Sequence, residues 1–445
     1  MDKQKALVLG MGLSGRSSAN LLLKQGFSVF GHDQNKTLLD ENEEIALLKS
    51  KGLVTFTKPD TYDIHQFSLI VVSPGVPQSE PLYMEAKKAQ IELIGEMELG
   101  FRSVKNRCVG ITGTNGKTTV TLLVQHVLNY SGIKAIAVGN IGKPITSYLS
   151  SNHDENEILI VELSSYQIET LTSKVFDLAV ILNITPDHLD RYLGMRQYAI
   201  AKIKLEHCIK IEKLFVNEKC YHEFKSLFQT THIKLFGSSS ECDIRTDLEN
   251  VYLKDNFEYK LPIDLKGILS HEIENMMAAY AIVKEFGVTA AKFLDAFVLF
   301  KKPAHRIEFV REIDSVNYYD DSKGTNIDAV IQAVTSLKGP LYLIAGGVDK
   351  GSSYNPWKKL FKEKVKRVLA IGQAAKKIKD DLSPEIKVEI YETLEAAVKS
   401  AANQAKAGES ILLSPGCSSF DMFKDYKERG DEFKKIVNLL RKKGI

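Results

Sequence analysis

The sequence predicts an α/β protein of three domains, each organised around a largely parallel sheet. Three observations carry that expectation. At 445 residues, the chain holds about three domains of roughly 150 residues each. Short apolar runs alternate with helical patterns, as they do in parallel β-α-β units. Two glycine-rich loops, within residues 10–15 and 110–116, each stand between a strand pattern and a helix pattern.

The first unit is expected over residues 1–105. Residues 5–9 form a short apolar strand. Gly10-Met11-Gly12-Leu13-Ser14-Gly15 follows and fits G-x-G-x-x-G, then a helix from about Ser14 to Gln25. "FSVFGHD" is a second strand ending at Asp33. "SLIVVSPGV" is a later one that ends in a turn of Pro and Gly. A glycine loop after a strand, with an acidic residue about 20 positions on, is Rossmann-like. It suits a nicotinamide dinucleotide, and the same geometry holds any other pyrophosphate.

The second unit is expected over residues 106–302. "RCVGIT" is a strand, "GTNGK" a loop and "TTVTLLVQHVLNYSG" a helix. Val120, Leu123, Val124, Val127 and Leu128 recur at helical spacing and mark its buried face. "EILIVELSS" and "FDLAVILNITPDH" are further buried strands. The third unit, 303–445, opens at "PAHRIEF". Its strands are "VNYYDDS", "LYLIAGG", "VKRVLAIG" and "SILLSPG". "TNIDAVIQAVTSL" and "LEAAVKSAANQAKAG" are helices between them, again a Rossmann-like alternation.

The loop Gly113-Thr114-Asn115-Gly116-Lys117-Thr118-Thr119 carries the sharpest chemistry. An ordinary phosphate loop reads G-x-x-x-x-G-K-[ST], and here Ile111 replaces the first glycine. The physics survives, because glycines at 110, 113 and 116 let backbone N–H groups turn toward one anion, and the following helix adds its positive end. Lys117 can pair with phosphates and the Thr118 hydroxyl can face Mg²⁺. Glu162, at the end of "ILIVE", is a suitable oxygen ligand for that hard cation. His188, in "TPDHLDR", is a weaker metal candidate. Lys202, in "QYAIAKIKLEH", reads on its own as a surface lysine, and its charge should repel Mg²⁺.

Composition excludes several classes. Basic and acidic residues number 59 and 56, so nothing electrostatic favours nucleic acid or an anionic membrane. The acidic run at 40–44 and the basic end at 441–445 read as solvated faces. "KALVLGMGL" is too short and glycine-broken for an export signal. No apolar run reaches membrane-span length. Five cysteines, without C-x-x-C, read as free thiols in a reducing, cytoplasmic setting.

Taken in order, "GITGTNGKTT", "VELSSYQIE", "NITPDHLDRY", "YAIAK", "HRIE", "DDSKGTN" and "LLSPGCSSFDMFKDYKERGDEF" resemble the Mur ligase family across almost the whole chain. The resemblance implies a central ATPase-type domain flanked by two Rossmann-like domains, the first holding a UDP-sugar instead of NAD. It implies cytoplasmic, ATP-dependent addition of D-glutamate to UDP-N-acetylmuramoyl-L-alanine through an acyl phosphate, for peptidoglycan precursor synthesis. A monomer is implied.

On this resemblance Lys117, His188, Lys202 and Arg306 are catalytic. Residues 113–119, with Asn275, Arg306 and Asp321, hold ATP. Leu13, Ser14, Asp33, Gly75, Asn140 and His188 contact the UDP-substrate. Lys323, Thr325, Lys350, Ser419 and Tyr426 form the D-glutamate pocket, where a cation and hydroxyls suit a dicarboxylate. Thr118, Glu162, His188 and Lys202 serve two Mg²⁺ ions, Lys202 as a CO₂-derived carbamate. Carbamylation needs neutral lysine, which costs roughly 4.6 kcal/mol at pH 7 for an unperturbed amine. Departures are Glu272 in "HEIEN", Gln34-Asn35-Lys36 after Asp33, and Tyr426 where phenylalanine is expected. An NAD-dependent dehydrogenase, a P-loop switch ATPase and a family ligase for another amino acid stand as alternatives.

Overall fold

The computed structural model describes residues 3–211, 213–246, 251–255, 257–261 and 270–441. The last residues of the basic end, 442–445, lie outside the described residues. The chain divides into two compact units. One comprises Met1–Asn183 with Ala199–Phe300, the other Ile184–Tyr198 with Lys301–Ile445.

The first unit contains two sheets. Strands β1 (Lys5–Leu9), β2 (Ser28–His32), β3 (Val54–Phe56), β4 (Leu69–Val72) and β5 (Glu92–Gly95) form a parallel sheet in the order β3-β2-β1-β4-β5. Strand residues alternate between two cores, as a period of two requires. Ala6 and Val8 pack with Ala19 and Leu22 of the helix Leu13–Lys24. Leu7 and Leu9 pack with Phe56, Phe67 and Leu82 on the opposite face. The order reverses between β1 and β4, and their carboxyl ends border the crevice where such sheets bind ligands.

The second sheet has nine strands. They are β6 (Cys108–Thr112), β7 (Ala135–Gly139), β8 (Ile158–Leu163), β9 (Leu178–Ile181), β10 (Leu214–Asn217), β11 (Ile233–Gly237), β12 (Ile244–Thr246), β13 (Val251–Asp255) and β14 (Phe257–Leu261), in the order β14-β13-β12-β11-β10-β9-β6-β8-β7. Pairing is parallel from β7 to β12, and β13 and β14 are added antiparallel. The helix Lys117–Tyr130 buries Val120, Leu123, Val124, Val127 and Leu128 as its spacing predicts. They share a core with Ile273, Met276, Met277 and Tyr280 of the helix Ser270–Lys284. Each such side chain contributes roughly 1.5–3 kcal/mol by leaving water.

Carboxylates tie the two sheets' domains together within this unit. The helix Glu96–Phe101 follows β5. Glu96 accepts from the amide and hydroxyl of Thr146, at 2.8 and 2.7 Å. Glu98 accepts from the amides of Thr172 and Ser173, at 2.9 and 3.0 Å.

The second unit holds β15 (Glu308–Ile313), β16 (Val316–Asp320), β17 (Leu341–Gly346), β18 (Val365–Ile371), β19 (Val388–Tyr391) and β20 (Ser410–Leu413), in the order β15-β16-β20-β17-β18-β19. Only β15 is antiparallel. Leu343 and Ala345 face a core with Val330, Trp357 and Ile378, whereas Tyr342 and Ile344 face one with Val398 and Phe433. All five cysteines are buried and free. Among the described residues no helix is long and apolar enough to cross a membrane.

Candidate functional site

The phosphate loop leaves the carboxyl end of β6 and enters the helix Lys117–Tyr130. Gly116 caps that helix at a φ of 85°. A Cβ there would lie 2.4 Å from Asn275 Oδ1, so the loop and the expected ATP residue Asn275 meet only because residue 116 is glycine. The loop is held from below by Asn183, which the sequence reading passed over. Its carbonyl accepts the Thr114 amide at 2.8 Å and its Oδ1 accepts the Asn115 amide at 2.8 Å. Its position just after β9 and before "TPDH" was the available signal. Lys117 Nζ donates to the carbonyls of Gly113 and Thr114, both at 2.8 Å.

Sheet register brings Glu162 beside this loop. Glu162 pairs with Ile111 on β6 and with Gly139 on β7. Asn140 therefore follows β7 against the same carboxylate, and its Nδ2 donates to Glu162 Oε1 at 2.7 Å. Glu162 is 2% exposed, and its Oε2 is buried without a hydrogen-bond partner among the described residues. An orphaned buried carboxylate oxygen costs roughly 1–3 kcal/mol. One strand from a phosphate loop that supplies the Thr118 hydroxyl, it fits a hard divalent cation.

Lys202 corrects the surface reading of its helix. It is 1% exposed, and its Nζ donates to Gly113 O at 2.9 Å. Burial of an ammonium is expensive, so partners such as the Gly113 carbonyl must offset the hydration it gives up. Composition and helical spacing carried no sign of it, because the burial comes from the loop the helix packs under.

In the first domain, Gly15 closes the G-x-G-x-x-G turn. A Cβ on it would lie 1.8 Å from Gly10 O. Asp33 Oδ2 accepts the Met11 amide at 2.7 Å and Oδ1 the Asn35 amide at 2.9 Å. The acidic residue thus shapes its own loop. Ser73 Oγ donates to Gly10 O at 2.7 Å, joining the loop after β4, which carries exposed Gly75, to the loop after β1, which leads into Leu13 and Ser14 at the start of the helix.

His188, Arg306, Asp321, Lys323, Thr325, Lys350, Ser419 and Tyr426 all belong to the second unit. Asp187, another residue the sequence reading missed, organises part of it. Lys350 Nζ donates to Asp187 Oδ1 at 2.9 Å, and so does the His188 amide at 3.0 Å. The fully buried Arg429 donates to Ser322 O at 2.8 Å and Cys417 O at 3.2 Å. It thereby joins the loop of Lys323 and Thr325 to the loop of Ser419. Lys323 Nζ lies 3.2 Å from the Tyr426 hydroxyl and 4.7 Å from its ring centroid. A ring at 426 thus serves as a cation-π platform. Burial pushes the Asp321 carboxyl up to about 7, against the Ser414 hydroxyl and the nearby Arg306 charge.

Three family models match the chain. They are the Mur ligase MurD-like N-terminal domain over residues 4–95, the Mur ligase middle domain over 111–283, and the Mur ligase glutamate ligase domain over 305–417. The UDP-N-acetylmuramoylalanine–D-glutamate ligase of Protochlamydia amoebophila is 49% identical over 438 residues, covering 98% of both chains. The protein of the same name from a Thermoanaerobacter species is 38% identical over 456 residues, covering 99% of both. The solved MurF ligase from Thermotoga maritima in complex with ADP shares the fold at 15% identity and a TM-score of 0.58, covering 98% of this chain and 96% of that one.

Proposed function

The chain belongs to the Mur ligase family, and we propose that it joins D-glutamate to UDP-N-acetylmuramoyl-L-alanine at the expense of ATP. The observation that carries this reading is the convergence of the phosphate loop, orphaned Glu162 Oε2 and buried Lys202 within one unit. The full-length likeness to relatives bearing that ligase name supports the choice of substrates. Neither a dehydrogenase nor a switch ATPase accounts for the glutamate ligase domain match at 305–417.

The division of labour follows the chain. Residues 1–105 take the UDP-sugar, with Leu13, Ser14, Asp33 and Gly75 at the crevice and Asn140 and His188 reaching the muramoyl part. Residues 106–302 take ATP, and 303–445 take D-glutamate. Backbone N–H groups of residues 113–118 and the Lys117 ammonium hold and polarise the phosphates. Asn275 is the ATP ligand proposed in the first unit, Arg306 and Asp321 are those proposed in the second, and Arg306 neutralises phosphoryl charge. Thr118 and Glu162 would hold Mg²⁺, with a Lys202 carbamate as a further ligand of the same unit, and the bound cation would neutralise charge on the transferring phosphoryl oxygens.

The alanyl carboxylate oxygen attacks the γ-phosphorus and ADP leaves. The amine of D-glutamate then attacks the acyl carbon, loses a proton, and phosphate leaves as the amide forms. Lys350, Thr325 and Ser419 orient the incoming dicarboxylate, with Lys323 and Tyr426 beside it. Most of the catalysis is positioning and charge neutralisation. The test is oxygen tracing with substrate labelled by ¹⁸O in the alanyl carboxylate. One label should appear in the released phosphate. Phosphate without label would contradict an acyl phosphate.

A further inference from the structure

One buried polar pair in the first domain is used by nothing described above. His32 ends β2 at 2% exposure, and Glu80 precedes the helix Pro81–Lys88 at 6%. His32 Nε2 lies 3.4 Å from Glu80 Oε1. Yet both imidazole nitrogens and that oxygen lack a hydrogen-bond partner among the described residues. The surroundings are apolar and aromatic, with the Phe56 ring 5.1 Å from the imidazole and Leu82 in the same layer. Each of the three atoms gives up water without gaining a partner, and an apolar pair of similar volume would pack there at no such cost. Stability therefore does not explain the pair.

Its position does. The His32 carbonyl accepts the Gly10 amide at 2.8 Å, and the next residue, Asp33, holds Met11. Glu80 closes the loop that runs from Ser73 through Gly75, and its other oxygen caps the following helix through the Tyr83 amide at 2.9 Å. The same loop rests on Gly10, where an added Cβ would lie 2.7 Å from Val76 Cγ2. The pair thus spans from the end of β2 to the loop after β4, beneath the crevice at the strand-order reversal. Buried polar pairs of this kind are best attested as devices that fix one register.

We propose that His32 and Glu80 are positioning residues that set the spacing of the two loops flanking the UDP-substrate crevice. This rests on the function proposed above. The test measures KM for UDP-N-acetylmuramoyl-L-alanine, ATP and D-glutamate in His32→Leu, Glu80→Ala, their double variant and Glu80→Gln, with Tm for each. Each single variant should raise KM for the UDP-substrate about tenfold, with the other constants within about twofold. The double variant should be no worse than the poorer single, as coupled residues behave. Glu80→Gln keeps a cap acceptor and a polar partner for His32, and should stay near wild type.

Unchanged KM for the UDP-substrate, additive single effects, or a lowered Tm with equal losses toward all three substrates would overturn the proposal. Lack of wild-type turnover with these substrates would overturn the underlying function, and this proposal with it. Altered constants are read only in an active enzyme, so the two failures are distinct.

Discussion

Gly113 O accepts from two lysines, Lys117 at 2.8 Å and Lys202 at 2.9 Å, and substitution separates their roles. Lys117→Ala should abolish turnover, a loss of at least about a hundredfold in kcat, as for other removed transition-state donors. Near-normal kcat would refute its phosphate role. Lys202→Ala should be inactive yet partly restored by a short carboxylic acid, which would stand where the carbamate would. Absence of rescue at every acid concentration would argue against carbamylation.

Asp321 supplies a pH signature. Its folded-state value, pushed up to about 7 by burial, lies above the unfolded one, so the native state binds more protons between about pH 4 and 7 and loses stability as pH rises through that window. Asp321→Asn should flatten this fall in denaturant titrations. With Asp321 proposed as an ATP ligand, its ionised form grows as pH rises through 7, so KM for ATP should decrease from pH 6 to 8 in the wild type. A KM for ATP constant over that range would count against Asp321 as an ATP ligand.

At the scale of elements, the glycine loop after β1 makes a discriminating case. Gly15→Ala places a Cβ 1.8 Å from the Gly10 carbonyl oxygen, whereas nothing lies within 4 Å of a Cβ on Gly12. Gly15→Ala should lower Tm and weaken UDP-substrate binding, and Gly12→Ala should leave Tm unchanged. Equal behaviour in thermal melts and steady-state kinetics would contradict the packing described. Such loops are legible in sequence because a strand, fixed glycine spacing and a helix must coincide for the turn to close. The buried face of Lys117–Tyr130 is legible for a similar reason, since its apolar period is long and regular.

Strands β12 to β14 and β15 gave no comparable signal. β12 has three residues, and β15 is mostly part-exposed with polar positions, so neither carries a clean apolar run. Asn183, Asp187 and Arg429 escaped notice because polar residues look alike until tertiary contacts engage them. Lys202 is named through the family resemblance, and it is its burial that stays illegible for the same reason.

For the molecule as a whole, near-balanced charge leaves specificity to the pockets themselves. The G-x-G-x-x-G loop and the phosphate loop are reconciled once each serves a different phosphate-bearing substrate. The choice of amino acid is the part of the account that fold alone does not dictate, since solved relatives of the same fold carry other ligase names. The measurement that tests the central claim most directly is phosphate release with ATP and UDP-N-acetylmuramoyl-L-alanine across a panel of amino acids. Release should require the UDP-substrate and be fastest by far with D-glutamate. Preference for L-alanine, a diamino acid or a dipeptide, or release independent of the UDP-substrate, would contradict it.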